Sequence, residues 1–454
     1  MKIIIVGIGK VGFTIAENLS AEGHGVTAID NDDRALSRAN EALDVLCIKG
    51  NGASAGILKS ADVEKADVVI AATDRDELNM LCCLTAKKLG AKYTAARIRD
   101  FEYANEVSRL KKVLDIDMVI NPEHASALQI SRLLRFPNAT DIDTFYRGRI
   151  ELVGFRVAEK DFITDVPLST VKKRLKNIPI LFCAVNSGGK TFIPKGSTVF
   201  SPGDTVYVIG ESVGVEMFFR ELGRITQKIK HVFIIGGGLI AFYLARYLIQ
   251  MNIGVKIVEI DPERCRELCE ALPKALIVKG DGTDQELLSS ENLQNAGAFV
   301  ALTGRDEDNI ITSLYAKRLG VPKIITKVNR QNYYDIVNQL GIDSLVSPKL
   351  ITAYSILHNV RAMQNTHGSR MDALYQIASG GAEATVFTVA EKTRHLGKAL
   401  KDMHLKSNVL IGLIYREGKF IVPEGGDHFE VGDGIILIIK SGMPLLDLND
   451  IFEE

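Results

Sequence analysis

Short apolar runs alternate with amphipathic stretches from the start of the chain. Ile3-Ile4-Ile5-Val6 is β-branched and unbroken, the pattern of a strand buried on both faces of a parallel sheet. Phe13 to Leu19 then repeats its apolar positions at helical spacing, and Val26-Thr27-Ala28-Ile29 is the next strand. The alternation continues through 67–73 and returns from residue 231, where Val232-Phe233-Ile234-Ile235 opens a second series. Strands that alternate with helices predict a parallel sheet. Each half is expected to hold about five such units, giving an α/β fold of two Rossmann-like, doubly wound parallel sheets. After each series the period changes to that of antiparallel strands, at 151–157, 178–185 and 205–209, and again at 384–389, 409–414 and 435–437. These segments predict a small α+β lobe behind each sheet.

The two halves are copies. Gly7, Gly9 and Asp30 recur as Gly236, Gly238 and Glu259 at a constant offset of 229 residues. Lys49-Gly50-Asn51-Gly52 recurs as Lys279-Gly280-Asp281-Gly282, and Arg75-Asp76-Glu77-Leu78-Asn79 as Arg305-Asp306-Glu307-Asp308-Asn309. Asn121-Pro122 and Ser347-Pro348 each read as an N-cap followed by proline at the first helical position. The tails repeat as well: Pro194 and Gly203 match Pro423 and Gly432. The predicted organisation is therefore four lobes, at 1–136, 137–223, 224–367 and 368–454. Boundaries fall near Pro137, Gly223 and Gly368, and Ser379-Gly380-Gly381 is a turn candidate.

Composition narrows the class. The 454 residues are 46% hydrophobic and 24% charged, with a formal net charge of −1, so nothing draws the chain to nucleic acid. No apolar run reaches the ~18 residues that a membrane span needs. The chain opens directly on a core strand without a signal peptide, and the expectation is a cytoplasmic protein. The six cysteines form no C-x-x-C pair, and the eight histidines are scattered. Cys265 and Cys269 share a helix face and are read as structural thiols rather than a metal pair.

Gly7-Ile8-Gly9-Lys10-Val11-Gly12 lies between a strand and a helix, and Asp30 ends the following strand. Gly7 permits the tight turn, Gly9 lets backbone approach a pyrophosphate, and Gly12 lets helix pack on strand. Phosphate would meet the free N–H groups at the positive helix end. A carboxylate at Asp30 suits the two ribose hydroxyls. Gly236-Gly237-Gly238-Leu239-Ile240-Ala241 with Glu259 repeats the motif. Asp76, Glu77, Asp306 and Glu307 are read as helix-start acids that suit the helix dipole, not as catalysts.

With these motifs in hand, the chain resembles the peripheral regulatory subunits of Trk-type potassium uptake systems, which are built of tandem RCK units. The glycine loops, Asp30 and Glu259, the Thr73…Asn79 and Thr303…Asn309 stretches, and the paired Pro-x-Gly…Gly-Asp endings carry the resemblance over essentially the whole chain. It implies binding of NAD(H), ATP or ADP and docking beneath a membrane potassium-translocating subunit. It also implies a homotetramer whose eight RCK units form a ring. Carried onto this sequence, the first site uses Gly7, Ile8, Gly9, Lys10, Val11 and Gly12 at the phosphates and Asp30 at the ribose. Asn51, Thr73 and Asp74 line its cleft. Arg97 and Arg99 are placed either to reach ligand or to form surface ion pairs. The second site uses Gly236, Gly237, Gly238, Leu239, Ile240, Glu259, Asp281 and Thr303.

The first site carries Lys10, Arg97 and Arg99 where the second carries Leu239, Lys327 and Asn329. The extra positive charge suits ATP or ADP at the first site, with NAD or weak occupancy at the second. An NAD-dependent oxidoreductase and a stand-alone nucleotide sensor are the alternatives. The enzyme would require a positioned acid–base pair beside the nicotinamide, and no His-Asp or Lys-Tyr pair is visible in the small lobes.

Overall fold

Four sheets organise the chain, in a computed structural model that describes residues 1–453 except 101–102, 104–106, 137, 225–228, 343, 365–370, 378–380, 442–444 and 446. The first sheet has six parallel strands: β1 (Lys2–Val6), β2 (Gly25–Asp30), β3 (Val45–Lys49), β4 (Val68–Ala71), β5 (Tyr93–Arg97) and β6 (Met118–Ile120). Their order is β3-β2-β1-β4-β5-β6, the doubly wound arrangement, so the strand order reverses between β1 and β4. Ile3 to Val6 and Val68 to Ala71 are all buried, which is why both runs lack polar alternation.

An antiparallel sheet follows: β7 (Asp141–Phe145), β8 (Ile150–Arg156), β9 (Ile180–Ser187), β10 (Lys190–Phe192) and β11 (Thr205–Glu211), ordered β10-β9-β11-β8-β7. The second parallel sheet comprises β12 (His231–Ile235), β13 (Gly254–Glu259), β14 (Leu276–Lys279), β15 (Ala298–Ala301), β16 (Ile324–Lys327) and β17 (Ser344–Val346). Its order, β14-β13-β12-β15-β16-β17, repeats that of the first. The last sheet holds β18 (Met371–Ile377), β19 (Ala382–Thr388), β20 (Val409–Arg416), β21 (Lys419–Ile421) and β22 (Gly434–Lys440), ordered β18-β19-β22-β20-β21. Strand for strand, this is the topology of the earlier antiparallel sheet.

Two expectations need correction. Each parallel sheet has six strands rather than about five units; β6 and β17 are only three residues long, too short to show a period. Each antiparallel sheet also gains a leading strand, β7 or β18. Asp141-Ile142-Asp143-Thr144-Phe145 puts polar residues on three of its five positions, so its apolar signal is weak. Among the expected boundary residues, Gly223 ends the Ser212–Glu221 helix at φ +73°, with Arg224 N–H donating to the Phe219 carbonyl at 2.9 Å, a Schellman-type stop. Pro137, Gly368 and Ser379-Gly380 lie outside the described residues.

The described residues gather into two compact units. The first is Met1–Leu128 with Gly238–Leu244 and Ser347–Val360; the second is Gln129–Gly237 with Ala245–Val346 and Arg361–Glu454. Within the second unit the antiparallel sheets share a core. Ile150, Leu152, Leu181, Cys183 and Ile209 pack in one cluster with Ala384, Val386, Leu413, Ile436 and Ile438. The opposite face of the last sheet buries Phe387, Ile435, Leu437 and Ile439. Burial on both faces explains the unbroken run Ile435-Ile436-Leu437-Ile438-Ile439 in β22. Cys82, Cys83 and Cys183 are buried thiols, and burial pushes Cys82 up to about 12. These are inert core residues.

Candidate functional site

At the reversal of strand order in the first unit, Gly7 leaves β1 with φ +91°, and its N–H donates to the Ile29 carbonyl at 2.8 Å. A β-carbon there would stand 2.7 Å from the Thr73 nitrogen, so only glycine fits. A β-carbon on Gly12 would collide with the Gly7 carbonyl oxygen. Gly9 differs, because nothing lies within 4 Å of where its side chain would begin. That open face is the approach a phosphate requires.

Gly9 also caps the Lys10–Ala21 helix, with no side-chain cap bond and no acid in the first turn. Three other helices carry a carboxylate cap. Asp32 caps Asp33–Ala42, Asp261 caps Pro262–Ala271, and Asp284 caps Gln285–Ser290, each through its carboxylate. The glycine-loop helix thus keeps its positive end for an anion. Val11 is nearly buried beneath the loop, whereas the Lys10 side chain is exposed.

Asp30 ends β2 and accepts from Ile8 N–H at 2.6 Å through one oxygen and from Asp32 N–H at 3.0 Å through the other. Each carboxylate oxygen retains a lone pair for a further donor such as a ribose hydroxyl. Glu259 does the same in the second unit, taking Gly237 N–H at 2.5 Å and Asp261 N–H at 2.9 Å. In both halves the acid therefore also ties the glycine loop to the neighbouring strand end. Asn51 is exposed and accepts from Ala53 N–H at 3.0 Å, shaping the turn after β3. Asp281 accepts from Thr283 N–H and hydroxyl, and these bonds hold its carboxyl below the usual range.

Thr73 and Asp74 follow β4 directly. Thr73 is held by Asn79: its N–H and hydroxyl donate to Asn79 Oδ1 at 2.9 and 2.7 Å, and Asn79 Nδ2 donates to the Arg97 carbonyl at 2.9 Å. Asn79 is fully buried. Asn309 repeats every bond with Thr303 and the Lys327 carbonyl. Arg97 faces Glu123 at 3.0 Å and is mostly buried. Arg99 stays on the rim, with its guanidinium against Asp76 and the Asp74 carbonyl.

The second glycine loop divides between the two units. Gly236, at φ +87°, and Gly237 sit with Glu259, Asp281 and Thr303 in the second unit, where a Gly236 β-carbon would stand 2.9 Å from Thr303 N. Gly238, Leu239 and Ile240 belong to the first; Gly238 is open and Ile240 is buried. The Leu239–Gln250 helix likewise has no acid in its first turn.

Sequence reasoning missed three groups. Asn79 and Asn309 were visible only as a repeated stretch. Asp76 and Asp306 do more than start helices: Asp76 accepts the N–H groups of Arg99 and Asp100 at 2.7 and 2.8 Å, and Asp306 those of Asn329 and Arg330 at 2.9 and 3.0 Å. Arg38 and Arg264 each donate to the carbonyl of the loop's second residue, Ile8 at 3.4 Å and Gly237 at 2.8 Å. The 229-residue offset would not pair these arginines. The repeat of Asn79 and Asp76 at fixed offset was the available signal for the other two groups. Among the described residues, no group of three or more His, Cys, Asp or Glu is placed to hold a metal ion.

Two doubly wound sheets with glycine loops, each followed by an antiparallel sheet of the same topology, define a tandem RCK architecture. Comparison with known proteins agrees. The TrkA-N domain family matches residues 3–122 and again 232–348, and the TrkA-C domain family matches 384–443. The chain is 32% identical over its full length to the Trk system potassium uptake protein TrkA of Halomonas elongata, covering 99% of that protein. It is 34% identical to a TrkA homolog of Archaeoglobus fulgidus, with 97% of each covered. Among solved structures, the GsuK RCK domain superposes with a TM-score of 0.63 at 18% identity, covering 97% of this chain and 92% of that one. The GsuK channel bound to NAD gives 0.64 at 17% identity, covering 97% and 77%. The chain belongs to the TrkA family of Trk-system potassium uptake proteins. Among the described residues no helix is long and apolar enough to cross a membrane.

Proposed function

We propose that this chain is the non-enzymatic, nucleotide-responsive regulatory subunit of a Trk-type potassium uptake system. It has four lobes (1–136, 137–223, 224–367 and 368–454) and acts in the cytoplasm as a homotetrameric ring of eight RCK units. The ring docks beneath a membrane potassium-translocating subunit. The observation that carries this reading is the duplicated crevice: an open glycine, a helix with no acid in its first turn and a strand-end carboxylate recur in both halves. Two such folds in one chain suit a ring whose ligand occupancy shifts the angle between lobes. NAD(H) suits both crevices, with ATP or ADP at the first. Gly7 to Gly12 would hold the phosphates and Asp30 the ribose; Asn51, Thr73 and Asp74 would line the cleft, and Arg97 or Arg99 would reach the ligand. Gly236 to Ile240, Glu259, Asp281 and Thr303 would serve the second.

Calorimetric titration of the full chain with NAD, NADH, ATP and ADP tests the reading, alongside potassium flux through the reconstituted membrane partner. Binding at the first crevice is expected to weaken about tenfold or more in Asp30→Ala, because the ribose loses its acceptor and the glycine loop loses the hydrogen bond from Ile8 N–H. Ligand-dependent flux is lost with it. Flux that still responds to nucleotide in that variant, or reproducible oxidation of NADH by the wild-type protein, overturns the proposal.

A second expectation concerns Lys10, exposed at the first residue of the glycine-loop helix. Lys10→Ala should lower affinity for ATP about threefold to tenfold while changing NAD binding less, since ATP presents more phosphate charge. The difference should shrink as salt rises. Equal ATP affinity in the two proteins at low salt would remove Lys10 from the site.

A further inference from the structure

A tyrosine from the second glycine-loop helix is built into the rim of the first crevice. Tyr243 lies five residues beyond Gly238, in the segment Gly238–Leu244 that packs with the first sheet. It is 4% exposed. Its hydroxyl donates to the Arg99 carbonyl at 2.9 Å and accepts from Asn121 Nδ2 at 3.2 Å. The His124 ring meets it edge-on at 5.3 Å. Asn121 is itself anchored, with Oδ1 taking His124 N–H at 2.8 Å and Nδ2 also reaching the Arg99 carbonyl at 3.3 Å.

Arg99 is the rim residue. Its N–H donates to Asp76 at 2.7 Å, and its guanidinium lies against Asp76 and the Asp74 carbonyl at the end of β4. The Tyr243 hydroxyl therefore fixes the backbone from which the cation is aimed.

The matching positions of the repeat lack this bridge. Thr14 stands where Tyr243 does, and its hydroxyl donates to the Lys10 carbonyl of its own helix at 3.2 Å. Asn329 stands where Arg99 does and carries no cation. Ser347 stands where Asn121 does, and its buried hydroxyl has no hydrogen-bond partner among the described residues. The bridge stands at the crevice that carries Arg99.

We propose that Tyr243 is a positioning residue of the first nucleotide crevice, holding Arg99 for the phosphates of a bound adenine nucleotide and relaying movement of its own helix start to that cation. This rests on the reading of the first crevice as a nucleotide site. Tyr243→Phe keeps the ring and its burial and removes only the hydroxyl. Calorimetry of the full chain with ATP should show affinity lowered roughly threefold to tenfold, with an unchanged melting temperature. In an Arg99→Gln background the same substitution should have no further effect, because the path to the ligand is already cut. Unchanged affinity in Tyr243→Phe overturns the inference, and so does an equal loss in both backgrounds, which would mark a packing role. If wild-type protein binds none of ATP, ADP, NAD or NADH, the nucleotide reading itself fails and this inference falls with it.

Discussion

Asn79→Ala is expected to destabilise the first unit by about 3 kcal/mol, the largest single-residue effect on stability at either crevice. The side chain is fully buried and makes four bonds: two accepted from Thr73, one donated to the Thr73 carbonyl at 3.3 Å and one to the Arg97 carbonyl. Alanine leaves these groups without partners, and each buried unpaired group costs about 1–3 kcal/mol. Thr73 is partly exposed, so water recovers some of the loss. Only an amide serves here, because the site needs an acceptor toward Thr73 and a donor toward Arg97. Asn79→Asp should be no better than alanine, since it buries a charge and removes the donor. Asn309→Ala should match Asn79→Ala, because the bonds are the same. Chemical denaturation monitored by circular dichroism gives the comparison. A loss under 1 kcal/mol in Asn79→Ala would show that the network forms without this amide.

Gly12→Ala should weaken nucleotide binding at the first crevice at least thirtyfold, about 2 kcal/mol. The new methyl would strike the Gly7 carbonyl oxygen. Gly7 cannot yield easily, being held at φ +91° with its N–H on the Ile29 carbonyl and no room for a β-carbon beside Thr73. The helix must therefore move away from the strand, and the N–H groups that face the phosphates move with it. The matching residue of the second half is Ala241, fully buried. That half is already spaced for a methyl group, so Ala241→Gly should leave binding there nearly unchanged. Titration of the two variants with NAD and ATP separates the cases, and wild-type affinity in Gly12→Ala would mean that helix-to-strand spacing does not set the phosphate site.

The paired predictions follow from a duplication whose halves have drifted unequally. The scaffold bonds are kept in both copies: Asn79 and Asn309 to the threonines, Asp76 and Asp306 to the strand ends, Asp30 and Glu259 to the glycine loops. The charged rim is not. Asn329 stands opposite Arg99 and Leu239 opposite Lys10, and Tyr243 meets the first rim from the helix of the other copy.

The sequence by itself determined the parallel sheets, their order and the glycine loops. Those features depend on local chemistry, namely buried β-branched runs, a positive-φ turn that only glycine makes, and an acid one strand later. It also determined the repeat, and with it the twin antiparallel lobes. Tertiary structure alone decided which polar groups meet. Asn79 reaches the Arg97 carbonyl and Asp76 the Arg99 N–H only because β4 and β5 are neighbours in the sheet. Arg97 and Glu123 pair because β5 and β6 are neighbours, with Arg97 opposite Ile120 and Glu123 just beyond it. Tyr243 and Arg99 are 144 residues apart in the chain and touch through a hydrogen bond that no periodicity encodes. Such contacts depend on side-chain reach and packing in three dimensions. Strand and turn preferences act over a few residues, and the sequence displays only those directly.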